Sequence, residues 1–402
     1  MTIRKNAVNR ELTPIPGGVC APDEFRAGSA VSGFKKNGEL DLGIIVSRRR
    51  CPTACVYATS AKRGAPIIIT ERHLENEYAH AIVVNSGVAI TFQFGAERFA
   101  KDVCRIVEDH CDVITEDVVV ASTGVMGEEI SLQTFEKGII AATANLVHSE
   151  EASYSVAKAM ANDDAEPMQL SYSFELGAIV CKIGAVFKAN TRVSPNMATT
   201  LAFVTTDVNI TPKMLRKALQ YAVNETLNLT DIDGISSPND MVCIMANGKA
   251  DNWRIDSVDT DYKKFASALR EFFQQICLRI LKNRKDKQKV LLCRVQGAQS
   301  TQISRALAKR IICSVAVKED IKSGNVTAEN ILFSIAEFGA VNDFENVRVS
   351  IRSEFGEAIV YEDGKRVPKM PEHYQKIFAA PCVELCISLK QGNYKSVGYT
   401  CI

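Results

Sequence analysis

The chain has 402 residues with 48 basic and 47 acidic side chains, a net charge of +1, so no charge excess draws it to nucleic acid or to an anionic membrane. Apolar residues make up 46% and charged residues 24%, the balance of an ordinary globular protein, and the length exceeds the ~250–300 residues at which a single core stops growing, so two lobes are expected. No apolar stretch approaches the ~18–20 residues of a membrane span, and residues 1–18 lack an apolar signal region, so a cytoplasmic protein is expected.

Strand signals alternate with helix signals along the chain, which points to an α/β class. In chain order the apolar runs predict strands at Ile67–Thr70, Ala81–Asn85, Val118–Ser122, Ala178–Phe187, Leu201–Thr205 and Lys289–Val295. Helical periodicity marks Thr211–Thr226, with Thr211 as cap and Pro212 in the first turn, and Asp261–Lys282. From Val347 on the pattern is strand-rich, with Val347–Arg352, Ala358–Tyr361 and Val383–Leu389. Arg48–Arg50 reads as a solvated loop rather than a binding patch, and Lys188–Asn196 as a polar loop whose Ser-Pro-Asn end suits a strained turn.

Thirteen cysteines, odd in number and scattered, fit reduced and buried thiols, several in apolar runs (Cys181, Cys243, Cys293, Cys386), better than a disulfide framework. Cys51 and Cys55 are spaced like half a zinc site without a second pair, so no metal is expected. His73 and His80 could share a helical face, and Trp253 reads as a packing anchor. Neither phosphate-binding glycine motif occurs, so no nucleotide is implied.

The run Ser194–Asp207, SPNMATTLAFVTTD, sets a small residue and a threonine before an apolar stretch. If the chain is cut between Ala198 and Thr199, the freed α-amine of Thr199, titrating near ~8, becomes a base one residue from the hydroxyl it must deprotonate. On local grounds alone, the pair reads as threonines opening a strand.

The wider pattern resembles the ornithine acetyltransferase (glutamate N-acetyltransferase) family of arginine biosynthesis. Six stretches follow the family in order: Gly17–Ser47, Ala81–Ala89, Val118–Gly127, Ile183–Asp207, Asp231–Gly248 and Val295–Ile311. The resemblance implies a layered α/β sandwich, self-cleaved into an amino-terminal fragment, 1–198, and a carboxy-terminal fragment, 199–402, that remain associated, with two copies of each. It implies Thr199 as nucleophile, Thr123 and Gly124 as oxyanion donors, and Lys188 as the lysine that holds the carboxylate of an N-acyl amino acid. It also implies ping-pong transfer of acetyl from N-acetylornithine to glutamate, with acetyl-CoA as donor in some members and no cofactor. Without the family, Thr123-Gly124 is an ordinary strand-to-loop turn and Lys188 a solvated lysine.

Departures from the family cluster in the substrate site. Asn162–Met168 replaces a threonine-rich run, although Asp163 or Asp164 could supply an acid there. Lys285, within Asn283–Lys289, stands at an acidic substrate-contacting position, Asn325–Asn330 replaces a tryptophan-containing segment, and the sequence stops at Ile402, near the start of the family's substrate-contacting tail. These leave open a divergent paralogue with a changed acyl substrate and a non-catalytic binding protein.

Overall fold

The computed structural model describes residues 12–161, 165–189, 200–231, 237–283, 289–324, 328–339, 341, 343–367 and 374–402. The first part contains β1 (Thr13–Pro14), β2 (Phe25–Ala30), β3 (Leu42–Tyr57), α1 (Ala65–His73), β4 (Tyr78–Asn85), β5 (Val88–Ala89), α2 (Ala96–His110), β6 (Val118–Ser122), β7 (Val125–Met126), α3 (Leu132–Ala144), α4 (Glu150–Met160), β8 (Met168–Leu176) and β9 (Ile179–Ala189). It continues with β10 (Thr200–Thr206), α5 (Pro212–Glu225), β11 (Thr230–Asp231), β12 (Met241–Ala246) and α6 (Thr260–Lys282). The remainder holds β13 (Val290–Ala298), α7 (Thr301–Cys313), α8 (Val315–Ser323), α9 (Glu329–Phe338), β14 (Arg348–Ser353), β15 (Gly356–Glu362), β16 (Lys365–Arg366), α10 (Tyr374–Ala379), β17 (Cys382–Ser388) and β18 (Tyr394–Cys401).

One sheet runs β1-β8-β9-β10-β12-β3-β4-β6, with β2 also on β3. The long strand β3 belongs to two layers: residues Leu42 to Pro52 pair with β4, while Thr53 to Tyr57 pair with β12. Its ladder to β4 breaks register between Val46 and Cys51, and Arg48–Arg50 fall in that break. They are therefore strand residues rather than a loop, exposed, with Arg49 on Glu24 at 2.8 Å and Arg50 on Asp117 at 2.7 Å.

Side-chain alternation assigns the layers. Leu201 and Phe203 of β10, and Cys243 and Met245 of β12, pack in one core with Ile82 and Val84 of β4 and Val119 and Ala121 of β6. The alternate residues Ala202, Val204, Val242 and Ile244 turn outward onto α5 and α6, while Val83 and Val120 turn outward onto α2 and α3. Sheet lies on sheet between helices, the layered α/β sandwich expected. A second sheet, β11-β18-β13-β17-β14-β15-β16, packs one face on α7, α8, α9 and α10. Its Leu292 and Tyr399 instead join the core around α5 and α6, so α6 is buried between two sheets.

Most expected elements form near their predicted limits, and four further readings need correction. Ile67–Thr70 is helical: Pro66 sits in the first turn of α1 after Gly64, and Thr70 donates its hydroxyl to the Val120 carbonyl at 2.9 Å across to β6. His73 closes α1 with Nδ1 2.9 Å from the Val118 carbonyl, whereas His80 lies in β4, so they share no helical face. Trp253 is 89% exposed and anchors nothing. Lys188 lies within β9, one residue before its end, and is buried instead of opening a polar loop.

Cys181, Cys243, Cys293 and Cys386 are buried free thiols in strands. Among the described residues no helix is long and apolar enough to cross a membrane.

Candidate active site

Antiparallel pairing sets Leu201 of β10 against Lys188 of β9 and Thr200 against Ala189. Ala198 and Thr199, the expected cleavage residues, lie outside the described residues, as do Asp163, Asp164 and Lys285. What is described is the frame on both sides of residues 190–199: two strands that pair over their whole shared length.

On the other side of β10, parallel β12 begins at Met241, just after Asp240. Asp240 is 1% exposed, and burial pushes its carboxyl up to about 8, against the opposing pull of backbone N–H groups from Ser237 and Thr200 and the charge of Lys188. Lys188 is 5% exposed. Lys188, Thr200 and Asp240 thus stand at the ends of neighbouring strands, at a largely dry edge of the sheet.

The Thr123-Gly124 turn follows β6 as expected. Thr123 is buried and donates its N–H to the Asn85 carbonyl at 3.0 Å. Gly124 has φ +135, and a Cβ there would fall 2.2 Å from the carbonyl carbon of Gly87. Only glycine permits this backbone-to-backbone approach. The loops after β4 and β6 then run in parallel, with Val88 beside Val125 and Val125 N–H on the Gly87 carbonyl at 2.9 Å. Asn85 Nδ2 donates to the Val88 carbonyl at 2.7 Å, and Ser122 Oγ accepts the Ile90 N–H at 2.9 Å.

A carboxylate missed at the sequence level supports this loop pair from behind. Asp41, fully buried, accepts backbone N–H groups from Ser32, Gly33, Phe34 and Lys35 at 2.6 to 3.1 Å. It thereby shapes the turn whose Phe34 carbonyl packs on Gly87.

Hydrogen bonds connect the two halves of the site. Asn239 Nδ2 donates to Thr91 Oγ1 at 2.7 Å, the Gly64 N–H donates to the Pro238 carbonyl at 2.9 Å, and the Ala58 N–H to the Asp240 carbonyl at 3.0 Å. A path therefore runs from the Thr123 turn through Asn85, Val88, Ile90 and Thr91 to Asn239 and Asp240. Asn239 and Asp240 also went unnoticed in sequence; the available signal was a polar pair standing directly before the apolar run Met241–Ala246. Among the described residues no His, Cys, Asp or Glu cluster is arranged to hold a metal.

A glycine turn with a buried hydroxyl on one side, and a lysine with an aspartic acid on the other, suits a reaction in which an oxyanion forms beside an anchored carboxylate. The class is that of the acyltransferases. Residues 26–401 match the ArgJ family, and the chain belongs to it.

Curated relatives agree over most of their lengths. The arginine biosynthesis bifunctional protein ArgJ of Symbiobacterium thermophilum is 34% identical over 333 residues, 82% of each chain. The glutamate N-acetyltransferase of Methanocaldococcus jannaschii is 28% identical over 398 residues, 96% of each chain. The solved argJ protein of Bacillus halodurans, at 23% identity, aligns with 46% of this chain and 98% of its own at a TM-score of 0.43.

Proposed function

We propose that the chain is a self-processing acyltransferase of arginine biosynthesis that moves acetyl from N-acetylornithine to glutamate. Hydrolysis of the Ala198–Thr199 bond divides it into fragments 1–198 and 199–402 and frees the α-amine of Thr199. That amine takes the proton of the Thr199 hydroxyl as its oxygen attacks the acetyl carbonyl. The tetrahedral oxyanion is held by the Thr123 hydroxyl and the Gly124 N–H. Collapse breaks the amide bond, the departing ornithine amine takes the proton, and acetyl remains on Thr199. Glutamate then attacks this ester through its own amine, and threonine is regenerated. Lys188 holds the α-carboxylate of each substrate in turn, a task for a compact charge in a dry setting.

The observation that best supports this reading is the placement of the motif residues. Lys188 and Thr200, from either side of the expected cut, stand on strands β9 and β10 beside the strand end that carries Asp240, and hydrogen bonds link that edge to the Thr123-Gly124 turn. The glutamate N-acetyltransferase and bifunctional ArgJ names of the relatives support the substrate pair. Two copies of each fragment are expected to assemble.

A second reading is favoured by Lys285, which stands where the resemblance calls for an acid: the same threonine chemistry on an N-acyl amino acid lacking a side-chain cation. Transfer assays decide. Purified protein is incubated with glutamate and either N-acetylornithine or N-acetyl derivatives of neutral amino acids, and N-acetylglutamate is measured. Turnover with N-acetylornithine supports the first reading; turnover confined to neutral donors supports the second, and no transfer from any donor removes both.

A further inference from the structure

Cys55 of β3 and Cys243 of β12 stand directly opposite each other where these strands pair antiparallel. The bonding rhythm of the ladder decides what kind of rung they occupy. At one end the Ala58 N–H donates to the Asp240 carbonyl at 3.0 Å, and at the other the Thr53 N–H points away from β12, to the Glu77 carbonyl at 2.9 Å. Ala54, Val56 and Ala58 therefore turn their backbone groups to β12, and Cys55 falls on a rung without hydrogen bonds. Such rungs bring opposing Cα atoms to about 4.5 Å and their side chains closest together. Cys243 lies in the core with Phe203 and Met241, and Cys55 packs against that core from the same face.

A disulfide spans Cα atoms about 4.4–6.8 Å apart, so this rung accepts one with little backbone movement. Cys51 does not compete: it pairs beside β4, and four residues along β3 at ~3.3 Å each put it about 13 Å from Cys55. Cys243 is fully buried and Cys55 half-buried, so a small oxidant reaches Cys55 first. We infer that Cys55 and Cys243 are an oxidisable pair, which a low-molecular-weight disulfide such as oxidised glutathione converts to a bridge between β3 and β12. With the cut proposed above, Cys55 belongs to fragment 1–198 and Cys243 to fragment 199–402, and the bridge ties the two fragments covalently. That consequence rests on the processing reading; the pair itself does not.

The exchange balances in atoms and electrons. The Cys55 thiolate attacks one sulfur of the oxidant, the oxidant's S–S bond breaks, and one half leaves as a thiolate. Cys243 then gives up its proton and attacks the Cys55 sulfur, releasing the second half. The two protein thiol protons end on the two released thiolates, and two electrons have passed from the protein to the oxidant. Burial pushes the Cys243 thiol well above its ordinary range, so the second step is the slow one.

The test treats native protein with oxidised glutathione, quenches it in acid and weighs it under denaturing conditions with and without a thiol reductant. Oxidised wild type should appear as one covalently joined species that parts into two fragments only on reduction, and Cys51→Ala should do the same. Cys55→Ala and Cys243→Ala should give separate fragments in both conditions. If Cys243→Ala does not fold, Cys55→Ala alone decides. Fragments of oxidised wild type that separate without reductant overturn the inference, as does a glutathione adduct on Cys55 that never resolves, or a bridge that survives Cys55→Ala. An uncut chain defeats the processing reading instead. The pair is then read as the loss of two hydrogens from the whole chain and as a proteolytic product joining Cys55 to Cys243, and their absence contradicts the inference in that case too.

Discussion

At Gly124 a single added carbon would meet the Gly87 carbonyl carbon at 2.2 Å, in a backbone conformation with φ +135 that side-chain-bearing residues avoid. Gly124→Ala is expected to displace the turn and lower kcat by ~10²–10³, the usual loss when an oxyanion donor is removed, and Thr123→Ala should fall in the same range while Thr123→Ser recovers most of it. Steady-state rates of the three variants check this; a Thr123→Ala variant with wild-type kcat would remove the hydroxyl from the oxyanion site. Acidic residues make a separate statement. Burial raises the carboxyls of Asp240 to about 8 and of Asp207 to about 6, the latter between Lys182 and Asp23. With the folded value above the unfolded one, the stability tied to the neutral acid is complete below about pH 4 and is lost as pH climbs through about 6 for Asp207 and about 8 for Asp240. Asp240→Asn is neutral throughout, so its Tm should gain on that of the wild type between pH 5 and pH 9; a gap independent of pH contradicts the shift.

The β9–β10 pair is the element on which the proposed processing would depend, since the expected cut falls between its strands. The ladder runs from Thr200 opposite Ala189 to Thr206 opposite Ile183, with Phe187, Phe203 and Leu201 buried in the cores on its two faces. Fragments 1–198 and 199–402 should therefore coelute from a native sizing column after cleavage and separate only in denaturant; dissociation on the native column contradicts this. Both strands were legible in the sequence, as were α5 and α6, because continuous apolar runs and 3.6-residue periodicity report burial directly. The helix α1 was not, because Ile67–Ile69 is a β-branched run, and only Pro66 in its first turn distinguishes it from a strand. Trp253 misled for a related reason: aromatic character signals burial on average, yet here the side chain stands in a polar loop outside every core.

Across the whole molecule, α6 joins the two sheets. Phe272 lies with its ring 5.9 Å from that of Tyr172 on β8, while Tyr399 of β18 and Leu292 of β13 close the same core from the other sheet. Phe272→Ala is expected to cost ~3–5 kcal/mol in denaturant unfolding, and a loss under about 1 kcal/mol would mean that the two sheets do not depend on this helix. The site shows the same divide between local and distant information. Thr123, Gly124 and Lys188 sit in short motifs, and the sequence could point to them. The Thr91–Asn239 contact spans 148 residues, and the Asp41 and Asp240 carboxyls act on backbone groups brought to them by folding, so no local pattern announced them. The central claim is that Thr199 becomes the amino terminus of a second fragment. Intact mass under denaturing conditions, measured beside Thr199→Ala, tests it directly: the account predicts two fragments in the wild type, one beginning at Thr199, and a whole variant. A single uncut wild-type chain of 44.1 kDa would contradict it.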